Sequence, residues 1–232
     1  MSENINKSSN QSSLISEMIT AGVFYGLKPA RTNPIMKKYV FAKKGNVNII
    51  DLNASLDNLN KALEFLKTQI QNNAEILFVG AFPAAYSLID FGKETGFPFV
   101  SNRWLGGTLT NFENIFKRLE YFKKLKADFE NKKFEKYPKK EKAKLQRKLE
   151  RLSKNFFGLE NLKKRPDVLV VINPSLENHK TAVEEANRLK IPVVAWANLN
   201  ADADKINYLI PANDLSPSSI EWFLSKIKEL KK

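Results

Sequence analysis

The sequence predicts an α/β fold: a mainly parallel, doubly wound sheet with helices on both faces and an antiparallel helical hairpin inserted in it. Three observations carry this. Continuous apolar runs at residues 76–80, 168–172 and 191–196 suit strands buried on both faces. The segments around them carry apolar residues every three or four positions, the period of helices that bury one face. Such alternation builds βαβ units, whose right-handed crossovers give a parallel sheet. Residues 112–156 interrupt the alternation with two successive apolar stripes.

Taken in order, residues 1–13 are rich in Ser and Asn and have no apolar period. They predict a disordered N-terminal tail and, lacking Arg, neither a signal nor a transit peptide. Leu14, Ile15, Met18 and Ile19 start a short helix, followed by a loop from Gly22 to Pro34 that carries Lys28, Arg31 and Asn33, with Lys37 and Lys38 just beyond. Residues 39–42 and 47–50 predict a hairpin about the turn Lys43, Lys44, Gly45 and Asn46. Leu56, Leu59, Leu63, Leu66 and Ile70 line one face of the next helix. A strand at 76–80, a helix at 84–91 and a strand at 97–100 follow, the last delivering Asn102 and Arg103 to its carboxyl end.

Beyond the interruption come a strand at 167–172, a helix with Ala182, Val183, Ala186 and Leu189 inward, strands at 191–196 and 208–210, and a closing helix at 218–230. The body is thus 14–111 with 157–232, and 112–156 is an inserted hairpin. Phe112, Ile115, Leu119, Phe122, Leu125 and Phe129 form one stripe and Leu145, Leu149, Leu152 and Phe156 the other, the pattern of a seam between two paired helices.

Composition narrows the function. The chain has 232 residues, 43% of them hydrophobic, enough for a real core. Its formal charge is +13, and residues 117–154 hold sixteen Lys or Arg against six Asp or Glu, about ten of that excess. A merely soluble face would intersperse both signs. Concentrated cations point to a polyanion, because each one that neutralises a phosphate releases counterions. No run of about eighteen apolar residues exists, so a membrane is not expected as partner, and nucleic acid is.

The chain lacks Cys and has a single His, His179, read as a surface residue of its helix; thiol chemistry and Cys or His metal clusters are excluded, and no cofactor is expected. An α/β enzyme that binds a nucleotide and acts on a phosphorylated substrate is the rival reading. Gly80 and the pair Gly106 and Gly107 would be its phosphate turns, yet neither fits G-x-G-x-x-G or the P-loop pattern. Asp51, Asp90, Asp202, Asp204 and Asp214 stand near strand ends without a nucleophile or base to work with.

The densest signal is the stretch from Asn102 to Phe112, where Arg103, Trp104, Leu105, Gly106 and Gly107 precede Leu109, Thr110 and Asn111. Arg103 offers a guanidinium fork, the glycines let backbone approach a phosphate, and Trp104 is expected in the core. The expected RNA-contacting residues are Lys28, Arg31, Asn33, Lys37, Lys38, Asn102, Arg103, Thr108, Lys117, Arg118, Lys139, Lys140 and Arg147, acting on phosphates more than on bases.

From about Met18 to Leu224 the chain resembles the bacterial-type small-subunit ribosomal protein number two family. The 103–111 stretch carries the resemblance. So do Arg165, Pro166, Asp167 and Val168 entering a strand, Glu184, Glu185 and Ala186 on the next helix, Ile191 to Ala195, and Ile210 and Pro211 with Asn213 and Asp214. The resemblance implies a three-layer αβα sandwich with a protruding coiled-coil hairpin and no catalysis. It further implies a structural, single-copy place on the small subunit in the cytoplasm, contacts with small-subunit ribosomal RNA, and neighbouring ribosomal proteins including ribosomal protein one. The chain departs from the family's pattern at Phe24, Leu27, Thr32, Phe82, Pro83, Ala212 and in the turn Asn198, Leu199, Asn200, while Arg31, Asn33 and Arg103 match.

Overall fold

The computed structural model describes residues 2–231, with side chains from residue 11 onward. The chain opens with α1 (Ser2–Thr20). The helix therefore reaches back through the segment predicted to be a disordered tail, of which Met1 lies outside the described residues. No Gly or Pro interrupts residues 2–20, and Ser and Asn each cost a helix only about 0.5 kcal/mol relative to Ala, so a helix anchored at the buried Met18 can propagate backwards.

Two strands, β1 (Val40–Lys44) and β2 (Val47–Ile50), form the expected antiparallel hairpin and stand apart from the main sheet. Next come α2 (Leu52–Gln71), β3 (Ile76–Val79), α3 (Ser87–Thr95) and β4 (Phe99–Val100). The helix pair α4 (Phe112–Glu130) and α5 (Lys139–Phe156) follows, then β5 (Val168–Ile172), α6 (Glu177–Arg188), β6 (Val193–Ala197), β7 (Tyr208–Pro211) and α7 (Pro217–Glu229). The main sheet is parallel throughout, in the order β4-β3-β5-β6-β7.

Strand alternation sorts the core into two faces. Ile76, Phe78, Val168, Val170, Ile172, Val194 and Trp196 meet α2, α3 and α7 on one side. Leu77, Val79, Leu169, Val171 and Val193 meet α6 and the bases of α4 and α5 on the other. A smaller cluster of Met36, Ile50, Ala195, Ala197 and Leu199 closes the body under the β1–β2 hairpin.

The two apolar stripes of 112–156 do not have equal fates. Ile115, Leu119 and Phe122 of α4, with Phe156 of α5, belong to the same cluster as the sheet, so the base of the pair is a layer of the body. Leu145, Leu149 and Leu152 are only half-buried.

Candidate nucleic-acid interface

The 104–110 loop is organised by a carboxylate that faces inward. Glu185 lies on α6 within the buried stripe of Ala182 and Ala186 and is 4% exposed. Its Oε1 accepts the Trp104 Nε1–H at 3.0 Å and the Gly107 N–H at 2.8 Å. Its Oε2 accepts the Leu109 N–H at 2.9 Å, and both the N–H and the hydroxyl of Thr110 at 3.1 Å. Burial alone would raise this carboxyl; the donors from Trp104, Gly107, Thr110 and Leu109 outweigh it and hold the group below its ordinary range. Gly107 has φ +87°, a left-handed conformation that a side chain would strain.

The pinned loop leaves Arg103 exposed and Trp104 buried, as a residue of the core. Thr108 is a correction: it is 1% exposed and its hydroxyl donates to the Leu105 carbonyl at 2.6 Å, so it offers nothing to RNA. Threonine at a tight turn satisfies its hydroxyl locally when the backbone carbonyl is that near. Asn102 is exposed, and its Nδ2 donates to the Lys154 carbonyl at 3.1 Å, tying the loop to the end of α5.

The first loop meets the same side of the sheet. The Asn33 N–H donates to the Leu199 carbonyl at 2.7 Å, just past the carboxyl end of β6, and Asn33 Oδ1 accepts the Ile35 N–H at 3.0 Å. Asn33 thus spends its oxygen on capping a turn. The loop that carries Arg31 thus meets the carboxyl end of β6, and Arg103 follows the carboxyl end of β4, three strands away in the sheet.

Lys28, Arg31, Lys37, Lys38, Arg103, Lys117, Arg118, Lys139, Lys140 and Arg147 are exposed, and among the described residues none joins an ion pair. Other lysines of the helix pair are engaged: Lys123 with Glu120, Lys126 with Glu160 and Lys133 with Asp128. Intramolecular pairing therefore does not absorb the positive excess.

The crevice that a doubly wound fold uses for nucleotides lies between β3 and β5, where the strand order reverses. Here a hydrogen bond from the end of β3 to α6 spans it. His179, expected at the surface, is 0% exposed; its Nε2 accepts the Ala81 N–H at 2.9 Å and its Nδ1 donates to the Asn173 carbonyl at 2.9 Å. Burial lowers the imidazole below its ordinary value, and the Nε2 bond requires the neutral form. A Cβ on Gly80 would come within 2.9 Å of Leu88 and 3.0 Å of Ala85, so close helix packing explains this glycine without a phosphate.

The candidate carboxylates scatter. Asp51 caps α2 through the Asn53 N–H, Asp90 pairs with Lys93 and Asp202 with Lys205. Asp214 is buried against the Asn198 N–H, and burial pushes its carboxyl up to about 7.

Exposed, unpaired cations on loops at the carboxyl end of a doubly wound sheet are the arrangement that suits a polyanion. Comparison with known proteins makes this particular. The family model described as ribosomal protein S2 matches residues 18–230. The small ribosomal subunit protein uS2 of Petrotoga mobilis is 41% identical over 214 residues, covering 92% of this chain and 74% of the relative. That of Dictyoglomus thermophilum is 42% identical over 217 residues, 93% and 87% of the two chains, and that of Thermus thermophilus 37% over 217 residues, 93% and 84%. The chain belongs to the ribosomal protein S2 family.

Proposed function

We propose that this chain is a non-catalytic, structural component of the small ribosomal subunit that holds ribosomal RNA through phosphate contacts. The observation that carries the reading is the free Arg103 on a loop fixed by Glu185, next to a helix pair whose cations outnumber its anions. With the backbone beside it fixed, Arg103 has only side-chain freedom to lose on binding, so it can fix register. The helix pair adds charge and reach, and several phosphate contacts together supply affinity. Neighbouring small-subunit proteins, ribosomal protein one among them, would meet surfaces that RNA leaves open. The apolar rim of Ile19, Tyr25 and Phe41, all more than half exposed, suits a protein neighbour better than a phosphate.

The rival enzyme reading loses both of its glycine turns, since Gly80 serves packing and Gly107 gives its N–H to Glu185. Sedimentation of tagged protein from lysate through sucrose, at low and then high salt, tests the proposal. Co-migration with small subunits that is lost as salt rises is expected; protein that stays at the top of the gradient at every salt would refute it.

A further inference from the structure

The loop that carries Arg103 also forms one wall of a cleft, across which Asn102 bonds to the Lys154 carbonyl. It has a volume of about 440 Å³ and lies where the carboxyl end of β4 meets the end of α5. Its lining includes Ser101, Asn102, Ser153, Asn155 and Phe157. Phe157 is 40% exposed at its mouth, its ring standing edge-on to Phe99 at 5.9 Å. Gly158 is what allows this: a Cβ there would fall 2.2 Å from the Phe99 carbonyl oxygen, so any other residue would lift the Phe157 turn off the strand.

From this geometry we infer that the cleft takes one unpaired RNA base, stacked on Phe157 with its edge against Ser101 and Asn155. The inference rests on the RNA reading above and adds to it a contact with a base. The volume falls in the range of small-ligand pockets. Among the described residues the side chains of Ser101 and Asn155 have no hydrogen-bond partner, and both a hydroxyl and an amide donate and accept, which suits any base edge.

Electrostatics selects the base over a free phosphate. The floor is the C-terminal end of α5, where the helix dipole is negative. That end disfavours an anion and favours the amino groups of a base. The cations sit at the rim instead: Lys154, one of the lining residues, is exposed and unpaired among the described residues, and Lys93 Nζ lies over one face of the Phe157 ring at 5.9 Å. A nucleotide with its base inside and its phosphates outside matches this division of charge, and single-strand recognition by aromatic platforms in basic surroundings follows the same physics.

The test uses the full chain and two RNAs, a single strand of about eight nucleotides carrying 2-aminopurine and a duplex of equal charge. Stacking on Phe157 should change the 2-aminopurine fluorescence on binding. Phe157→Leu should abolish that change and weaken single-strand binding roughly ten-fold or more while leaving duplex binding as in the wild type. Asn155→Ala, at a half-buried site outside the core clusters, should weaken the single strand alone and guards against a folding defect in the first variant. If wild type and both variants bind the single strand alike with no fluorescence change, while the duplex binds in a salt-dependent way, the base pocket is wrong and the RNA reading stands. If neither RNA binds at low salt, the RNA reading falls and the pocket with it.

Discussion

The 103–110 loop and the helix pair that follows it both present positive charge, but they are built in opposite ways. In the loop a single carboxylate takes up the Trp104 ring N–H, three backbone N–H groups and the Thr110 hydroxyl, so that Arg103 emerges from a fixed frame. In α5 the apolar stripe is half-buried beyond Phe156, and the cations have few partners. The first arrangement specifies position. The second supplies many charges with little constraint on any one of them.

The largest difference should appear when the frame is removed. Glu185→Ala leaves several buried donors without an acceptor and should cost about 3–5 kcal/mol, seen as a lower urea midpoint with an unchanged denaturant slope. A loss below about 1 kcal/mol would mean the loop is held by something else. Next comes the contrast within the helix pair itself. Phe122→Ala, in the shared core, should cost about 3–5 kcal/mol, whereas Leu145→Ala, half-buried, should cost less than about 1 kcal/mol. Equal costs would show that the seam is packed along its whole length.

Much of the fold was legible because its period is local. The runs at 76–80, 168–172 and 191–196 became β3, β5 and β6, and the stripe from Leu56 to Ile70 became α2. Less legible was anything set by partners distant in sequence. Glu185 and His179 each lie three positions from Ala182, so polar groups on a buried stripe were visible in the sequence, but the N–H donors they accept from lie about seventy-five to one hundred residues away. The same holds for Thr108, whose exposure depends on a turn that Glu185 closes. The exposed cations were read from composition, and the structure leaves them free. Their contact with RNA is proposed, since only an RNA-bound state can single out individual lysines.

Two buried titratable groups should give stability a recognisable pH dependence. His179 has a folded pKa below its ordinary 6.5, so its contribution is complete above that pH and is lost as pH falls through the lowered value. Asp214 is raised from 3.8 to about 7, so its contribution is complete below 3.8 and is lost as pH rises through about 7. Between these limits the two oppose each other. Asp214→Asn removes one side, and stability should then fall more steeply from pH 7 to pH 5 than in the wild type, by on the order of 1 kcal/mol, read from urea midpoints. Parallel pH curves for the two proteins would assign the dependence elsewhere.

The smallest effect is expected far from the loop. Lys139→Ala combined with Lys140→Ala should weaken RNA binding only a few-fold at low salt and reduce the slope of log affinity against log salt by about 1 to 2, since such residues act as interchangeable charges.

The most direct measurement is the affinity of the full chain for small-subunit RNA across a salt series, for the wild type and for Arg103→Ala. A positioned phosphate contact predicts a steep loss of wild-type binding with salt, and an Arg103→Ala protein about ten-fold weaker at low salt, with a salt slope shallower by about 1 and unchanged stability. Wild-type binding insensitive to salt, or an Arg103→Ala protein that binds as tightly as the wild type, would contradict the proposal that this loop places its arginine on the RNA.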